Sequence, residues 1–146
     1  MRAVIQRVTH CSLVIDEKEF SRIGEGLLVL LGVEETDTEK EVDYFASKIS
    51  QMRIFNDENG KMNLSVNDIQ GEVMVVSQFT LFAETKKGNR PSFIRAARPE
   101  QAIPLYNYFV EKISTLIPKP AATGQFGADM KITLLNDGPV TIIMES

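Results

Sequence analysis

The chain opens on a mainly apolar stretch with a few polar positions set into it. Over residues 1–9, Ala3, Ile5 and Arg7 share one face and Val4, Gln6 and Val8 the other, which predicts a strand. Cys11 to Ile15 predicts a second strand. Asp16-Glu17-Lys18-Glu19 reads as a polar turn, and Phe20 to Ile23 as the returning arm of a hairpin. Gly24-Glu25-Gly26 breaks that arm. Leu27-Leu28-Val29-Leu30-Leu31 is apolar on both faces, the pattern of a central strand. Thr36-Asp37-Thr38-Glu39 has the spacing of a capping box. Behind it Val42, Phe45, Ile49 and Met52 fall on one face of a helix, a stripe for core packing. Asn56-Asp57-Glu58-Asn59-Gly60 is a turn, too short for a calcium loop. Residues 63–70 carry no decisive period. Gly71 leads into Val73-Met74-Val75-Val76, an unbroken apolar run that predicts a buried strand, and the run ends in Ser77-Gln78-Phe79-Thr80-Leu81. Residues 84–98 form a long loop, a length more often functional than not. A second helix over about 100–117 would bury Ala102, Tyr106, Phe109, Ile113 and Leu116, with Pro104 in its first turn and Pro118-Lys119-Pro120 ending it. Lys131 to Leu135 and Val140 to Met144 predict two last strands, joined by Asn136-Asp137-Gly138-Pro139. No repeat or low-complexity tract divides the chain, so the expectation is one α+β domain.

Composition narrows the chemistry. The chain has 146 residues, 43% of them hydrophobic, enough for one core. Its one cysteine, Cys11, rules out an internal disulfide and fits a reducing cytosol, or a small buried hydrophobe. One His and one Cys do not make a usual zinc site. Gly24-Glu25-Gly26 lacks the third glycine and the following helix of a dinucleotide loop. At the start, Arg2 is followed by only three apolar residues before Gln6-Arg7, so no signal peptide is read there. The longest apolar run, Leu27 to Leu31, is far short of the roughly 20 residues that cross a bilayer. A cytoplasmic protein away from membranes is expected. The net charge of −4 argues against a general nucleic-acid coat. The loop at 84–98 is nonetheless basic, with Lys86, Lys87, Arg90, Arg95 and Arg98 against Glu84 alone. It is either an ordinary solvated loop or a phosphate-contacting edge beside a site.

Polar side chains at the end of a buried strand must find partners or line a cleft. Ser77-Gln78-Phe79-Thr80 resembles the SQFT signature of the D-aminoacyl-tRNA deacylases, also called D-tyrosyl-tRNA deacylases. Asn136-Asp137-Gly138-Pro139-Val140-Thr141 is similar to that family's second signature, NDGPVT. Three further stretches resemble family segments in the right order: Met1 to Val8, Gly88 to Phe93, and Gly124 to Met130. The resemblance spans the chain without a departure in the signature residues. The architecture expected is a single domain of mostly antiparallel strands, curved and barrel-like, with two helices packed on one side.

That resemblance implies hydrolysis of the ester joining a D-amino acid to the 3′-terminal ribose of tRNA, and of glycine mischarged on tRNA-Ala. It implies chirality proofreading, and no cofactor or metal site is expected from the residues present. Ester hydrolysis needs an attacking oxygen, a place for the oxyanion and a proton path. His10 is the only histidine, lies in the N-terminal strand region, and reads as structural, so a Ser–His–Asp triad is not expected. Two mechanisms remain. Thr80 is the nucleophile, or the free 2′-hydroxyl of the terminal adenosine assists attack by water. A threonine hydroxyl at neutral pH needs a base, and the sequence offers none nearby, which favours the second. Ser77, Gln78 and Thr80 would then orient the ester and its water, and Phe79 would fix the strand end. By resemblance Met130 reaches the amino-acid pocket and Phe126 packs on the terminal adenine, each with core packing as the alternative role. Arg7 is either an exposed edge charge or a buttress for the Gly-Pro loop. Lys86, Lys87 and Arg90 would meet tRNA phosphates. Gly138-Pro139 is either an ordinary tight turn or, as the resemblance implies, a cis bond reaching across a twofold interface into the other subunit's site, in a homodimer. The rival functions are a non-catalytic module that holds tRNA 3′ ends and an esterase for small amino-acid esters.

Overall fold

The computed structural model describes residues 1–146. Eight strands, two α-helices and one 3₁₀ turn follow in the order β1 (Arg2–Ile15), β2 (Lys18–Ile23), β3 (Gly26–Gly32), α1 (Glu39–Gln51), β4 (Phe55–Asn56), β5 (Met62–Leu64), β6 (Glu72–Ser77), the 3₁₀ turn (Phe79–Phe82), α2 (Pro99–Ser114), β7 (Ala122–Thr123) and β8 (Lys131–Glu145). The main sheet runs β2-β1-β3-β6-β7, with β8 along the other side of β1. β1 is antiparallel to β2, β3 and β8, whereas β3–β6 and β6–β7 are parallel. The sheet is mixed, curved and nearly closed, the α+β, barrel-like domain the sequence leads one to expect.

Strands β3 and β6 read as continuous apolar runs because both their faces are covered. Leu27, Val29, Leu31, Val73 and Val75 point to one core with Phe45, Ile49, Phe109 and Ile113 of the two helices. Leu28, Met74 and Val76 point to a second, smaller core with Val8, Cys11, Leu13 and Ile23. The period of two along each strand splits the side chains between these cores. At Gly26 the parallel strands come so close that a Cβ would stand 1.8 Å from the Glu72 carbonyl oxygen, so only glycine starts β3.

Four sequence expectations change in detail. Residues 2–15 are one strand, not two. β1 pairs β3 through its first half and β2 through its second, while β8 follows it throughout, with register shifts between Gln6 and Val8 and between Val8 and Cys11. Those shifts let Arg7 and Val8 both turn inward, where strict alternation would put them on opposite faces. The capping box is one step further on: Thr38 caps α1, its side chain accepting from the Lys40 N–H, and Glu41 closes the box. In α2 it is Pro99 that takes the first position, and Pro104 lies inside the helix, where it forgoes a backbone donor. The buried stripe includes Leu105, and Leu116 falls beyond the helix end and is half-buried. Finally, Lys131–Glu145 is a single strand rather than two joined by a turn. Asp137, Gly138, Pro139 and Val140 stand between the paired residues Asn136 and Thr141, opposite Arg7 alone. The turn signal there belongs to a wide bulge, because β1 keeps pairing on both sides of it.

Candidate active site

β6 ends at Ser77, paired with Leu31 of β3. The chain then turns sharply: Gln78 N–H donates to the Leu31 carbonyl at 2.8 Å, and Leu81 N–H to the Gln78 carbonyl at 3.2 Å. The SQFT stretch is thus a strand end that becomes a 3₁₀ turn. Gly32 makes room for it, since a Cβ there would stand 3.0 Å from the Gln78 carbonyl oxygen and 3.1 Å from the Phe82 ring. Arg2 holds the turn from below, donating to the Leu81 carbonyl at 2.8 Å and lying 4.9 Å over the Phe82 ring.

Beside the turn is a cleft of about 610 Å³, within the roughly 300–1,000 Å³ of small-ligand sites. Ser77, Gln78 and Phe79 form one wall, Phe126 and Met130 another, and Phe93, Ala97 and Arg98 a third. Five of the expected site residues, Ser77, Gln78, Phe79, Phe126 and Met130, therefore meet in one cavity. Met130 and Val76 at its floor belong to or pack on the smaller core, and Phe126 packs on the larger one. Met130 sits over Gly124, where a Cβ would lie 2.5 Å from its sulfur. For both residues the two roles weighed from sequence are compatible: each is half-buried against a core and also faces the cleft. Phe79 is 55% exposed and meets Phe93 edge to face at 5.3 Å. Phe93 and Arg98 are cleft residues outside the expected site set, although Phe93 ends one of the family-like stretches and Arg98 is one of the loop's five cations. Their signal is weak because nothing local distinguishes Phe93 from a core aromatic or Arg98 from its basic neighbours.

Thr80 stands at the rim. It is exposed, does not line the cleft, and its hydroxyl accepts a hydrogen bond from the Gln78 side-chain amide. No carboxylate or imidazole bonds it. No three of His, Cys, Asp and Glu gather as a metal would need. The only thiol, Cys11, is buried, and desolvation pushes its pKa up to about 11, away from nucleophilic use.

Gly138 and Pro139 lie outside this cleft, exposed at the bulge of β8. The Gly138-Pro139 bond is cis. Arg7 is no edge charge: it is only 6% exposed and fills the gap under the bulge. Its Nε donates to the Asp137 carbonyl at 3.0 Å and lies 3.3 Å from the Asp137 carboxylate, while Nη1 donates to the Ile54 carbonyl at 2.8 Å. Gly138 has φ +129°, and a Cβ would lie 3.0 Å from Arg7 Nη2 and 2.7 Å from the Val140 side chain. Asn136 completes the brace with donations to the Arg7 and Val140 carbonyls at 3.1 and 3.0 Å. The bulge is braced by these bonds and faces outward.

The basic loop folds back on itself through paired bonds between Glu84 and Ser92 at 2.7 and 3.0 Å. Lys86, Lys87 and Arg90 lie in the exposed tip it closes off, beyond the cleft but joined to its wall through Phe93. Arg95 is not free for a ligand in the same way, being ion-paired with Glu34 at 3.0 Å.

The family profile described as D-Tyr-tRNA(Tyr) deacylase matches residues 4–145. The D-aminoacyl-tRNA deacylase of Parabacteroides distasonis is 58% identical over all of this chain and 97% of its own length, and that of Flavobacterium psychrophilum 56% over the same shares. Among solved structures, the c-Myc DNA unwinding element binding protein superposes with a TM-score of 0.94 at 45% identity, covering 100% of this chain and 99% of that one. A probable eukaryotic D-amino acid tRNA deacylase shares the fold at a TM-score of 0.83 and 16% identity, over 98% of this chain and 97% of that one. A profile match over nearly every residue, and relatives more than half identical from end to end, place this chain in the D-Tyr-tRNA(Tyr) deacylase family.

Proposed function

We propose that the protein hydrolyses the ester of D-aminoacyl-tRNA, releasing the free D-amino acid and tRNA, and so removes wrong-handed amino acids before translation uses them. The observation that carries this reading is the cleft itself: in a chain of this family, the Ser77-Gln78 strand end, Phe126 and Met130 converge on one cavity of ligand size. The 3₁₀ turn leaves the N–H groups of Phe79 and Thr80 outside its own ladder, free as donors for the developing oxyanion. Thr80 has no base, so water assisted by the 2′-hydroxyl of the terminal adenosine is the attacking oxygen, and the protein contributes position. Such positioning can lower a barrier by roughly 7–11 kcal/mol at best. Phe126 takes the adenine face by stacking, and Met130 bounds the amino-acid pocket.

Rejection of L-amino acids needs more than apolar fit, which separates close analogues by only about 1–3 kcal/mol. The braced bulge at Gly138-Pro139 suits the task, but on its own chain it lies outside the cleft. It fits the partner's cleft in a homodimer. The outer edge of β8 pairs with nothing, and Leu135 and Ile143 on that strand are 47% and 68% exposed, a surface that a second copy would cover. Glycine has no side chain for such a wall to stop, so glycyl-tRNA passes the filter and is hydrolysed too. Lys86, Lys87 and Arg90 meet the phosphates of the acceptor end. The enzyme acts in the cytoplasm, where aminoacyl-tRNA is found.

Turnover separates this enzyme from a protein that only holds tRNA ends. With labelled D-tyrosyl-tRNA in large excess, free D-tyrosine should accumulate well beyond the amount of protein. Release that stops at one equivalent, or does not occur, contradicts the reading.

A further inference from the structure

The cleft has one cationic residue, and it has no partner. Four polar side chains line the cavity: Ser77, Gln78, Arg98 and Asp129. Asp129 is already paired, at 3.0 Å from Lys131 Nζ. Arg2, Arg7, Arg22 and Arg95 each hold a carboxylate of this chain. The guanidinium of Arg98 forms neither a hydrogen bond nor an ion pair. Arg53 and Arg90 are also unpaired but line no part of the cleft. The backbone of Arg98 is fixed all the same. It is the cap of α2, and its carbonyl accepts from Gln101 N–H at 3.0 Å and Ala102 N–H at 2.8 Å. Arg98 is exposed at the cleft, so its guanidinium is available to an anionic group of a bound ligand.

The substrate class narrows which anion. An aminoacyl ester has no free carboxylate, and its ammonium group would be repelled by a guanidinium. The nearest negative charge to the scissile ester is the phosphodiester on the 5′ side of the same ribose. The guanidinium fork matches two phosphate oxygens at once. Resting on the deacylase reading above, we propose that Arg98 binds the phosphate of the terminal nucleotide, and so sets how deep the ester lies against the Ser77-Gln78 turn. Lys86, Lys87 and Arg90, further out, are then left for later phosphates.

The test compares three D-tyrosyl esters: of adenosine, of adenosine 5′-monophosphate, and of whole tRNA. The wild-type enzyme should prefer the second to the first. Arg98→Ala should lower kcat/KM on the two phosphate-bearing substrates by about ten- to a hundredfold, the size of a charged hydrogen-bonded contact, mostly through KM. On plain D-tyrosyl-adenosine it should change little, and Arg98→Lys should recover part of the loss. Equal loss on all three substrates, or no loss on any, overturns the role of Arg98 while leaving the deacylase reading intact. No hydrolysis of any substrate by the wild type overturns the deacylase reading and this proposal together.

Discussion

Thr80 and Arg7 show how far a residue's identity alone reaches. The absence of a base near Thr80 is readable from the sequence, because the chain has one histidine and the SQFT stretch no acid, and in the fold its hydroxyl meets only the Gln78 amide. Thr80→Ala should accordingly keep a substantial fraction of activity in a single-turnover assay, whereas a substrate ending in 2′-deoxyadenosine should be nearly inert. Loss of all activity in a folded Thr80→Ala enzyme that still binds substrate would restore a threonine nucleophile. The role of Arg7 is not readable in the same way. A cation in an apolar strand looks like an edge charge until the bulge opposite is known, and the bulge is set by pairing far along the chain. Arg7→Ala should cost about 2–3 kcal/mol, because the Asp137 and Ile54 carbonyls lose a charged donor. Gly138→Ala should cost about 1–3 kcal/mol through its positive φ and the crowding of Arg7 and Val140. Thermal unfolding measures both. A Gly138→Ala protein as stable and active as the wild type would remove the braced bulge from the account.

At the scale of elements, periodicity finds the two helices and the two central strands, since each of these buries a regular face, and the long loop shows by its length and charge. It misses where local signals and long-range pairing compete. Asn136-Asp137-Gly138-Pro139 has the composition of a hairpin turn, but β1 pairs residues on both sides of it, so the strand continues and the turn residues become a bulge. Thr36 and Thr38 both have a glutamate three residues on, and in the fold Thr38 is the cap of a helix that buries Val42, Phe45 and Ile49. The cleft could not be traced from sequence because its walls come from three distant segments. The basic loop carries its own prediction. Replacing Lys86, Lys87 and Arg90 together should weaken tRNA binding and flatten the log–log salt dependence, by up to roughly 0.7–0.9 for each phosphate no longer neutralised. An unchanged slope would make these residues plain surface. A second prediction concerns the tie between α2 and β6. Tyr106 donates to the Val75 carbonyl at 2.7 Å, and burial raises its phenol from 10.0 to about 12. Burial likewise raises the Cys11 thiol from 9.0 to about 11. Both groups hold their protons in the fold at pH values where the unfolded chain has lost them. Their stabilising contribution is therefore complete below about pH 9 and disappears as pH climbs toward 12. Urea midpoints should fall across that window, less steeply in Tyr106→Phe, and a flat profile would contradict the burial argument.

On the whole molecule the Gly138-Pro139 bulge faces outward and takes no part in its own chain's cleft. In the twofold pair proposed above, each copy would supply a bulge to the other's cleft and receive one. Sedimentation should find a dimer at assay concentrations, and selectivity should fall with dilution as dimers dissociate. A monomer that stays fully active and selective at nanomolar concentration would contradict the composite site. The activity proposed above is selective for handedness, and one measurement reads that selectivity. Labelled D-tyrosyl-tRNA and L-tyrosyl-tRNA, made on the same tRNA, are each incubated with a catalytic amount of the protein, and the initial rates of ester loss are compared with spontaneous hydrolysis. The D ester should be cleared with many turnovers, while the L ester should decay at its spontaneous rate. Equal acceleration of the two esters, or acceleration of neither, would contradict the account.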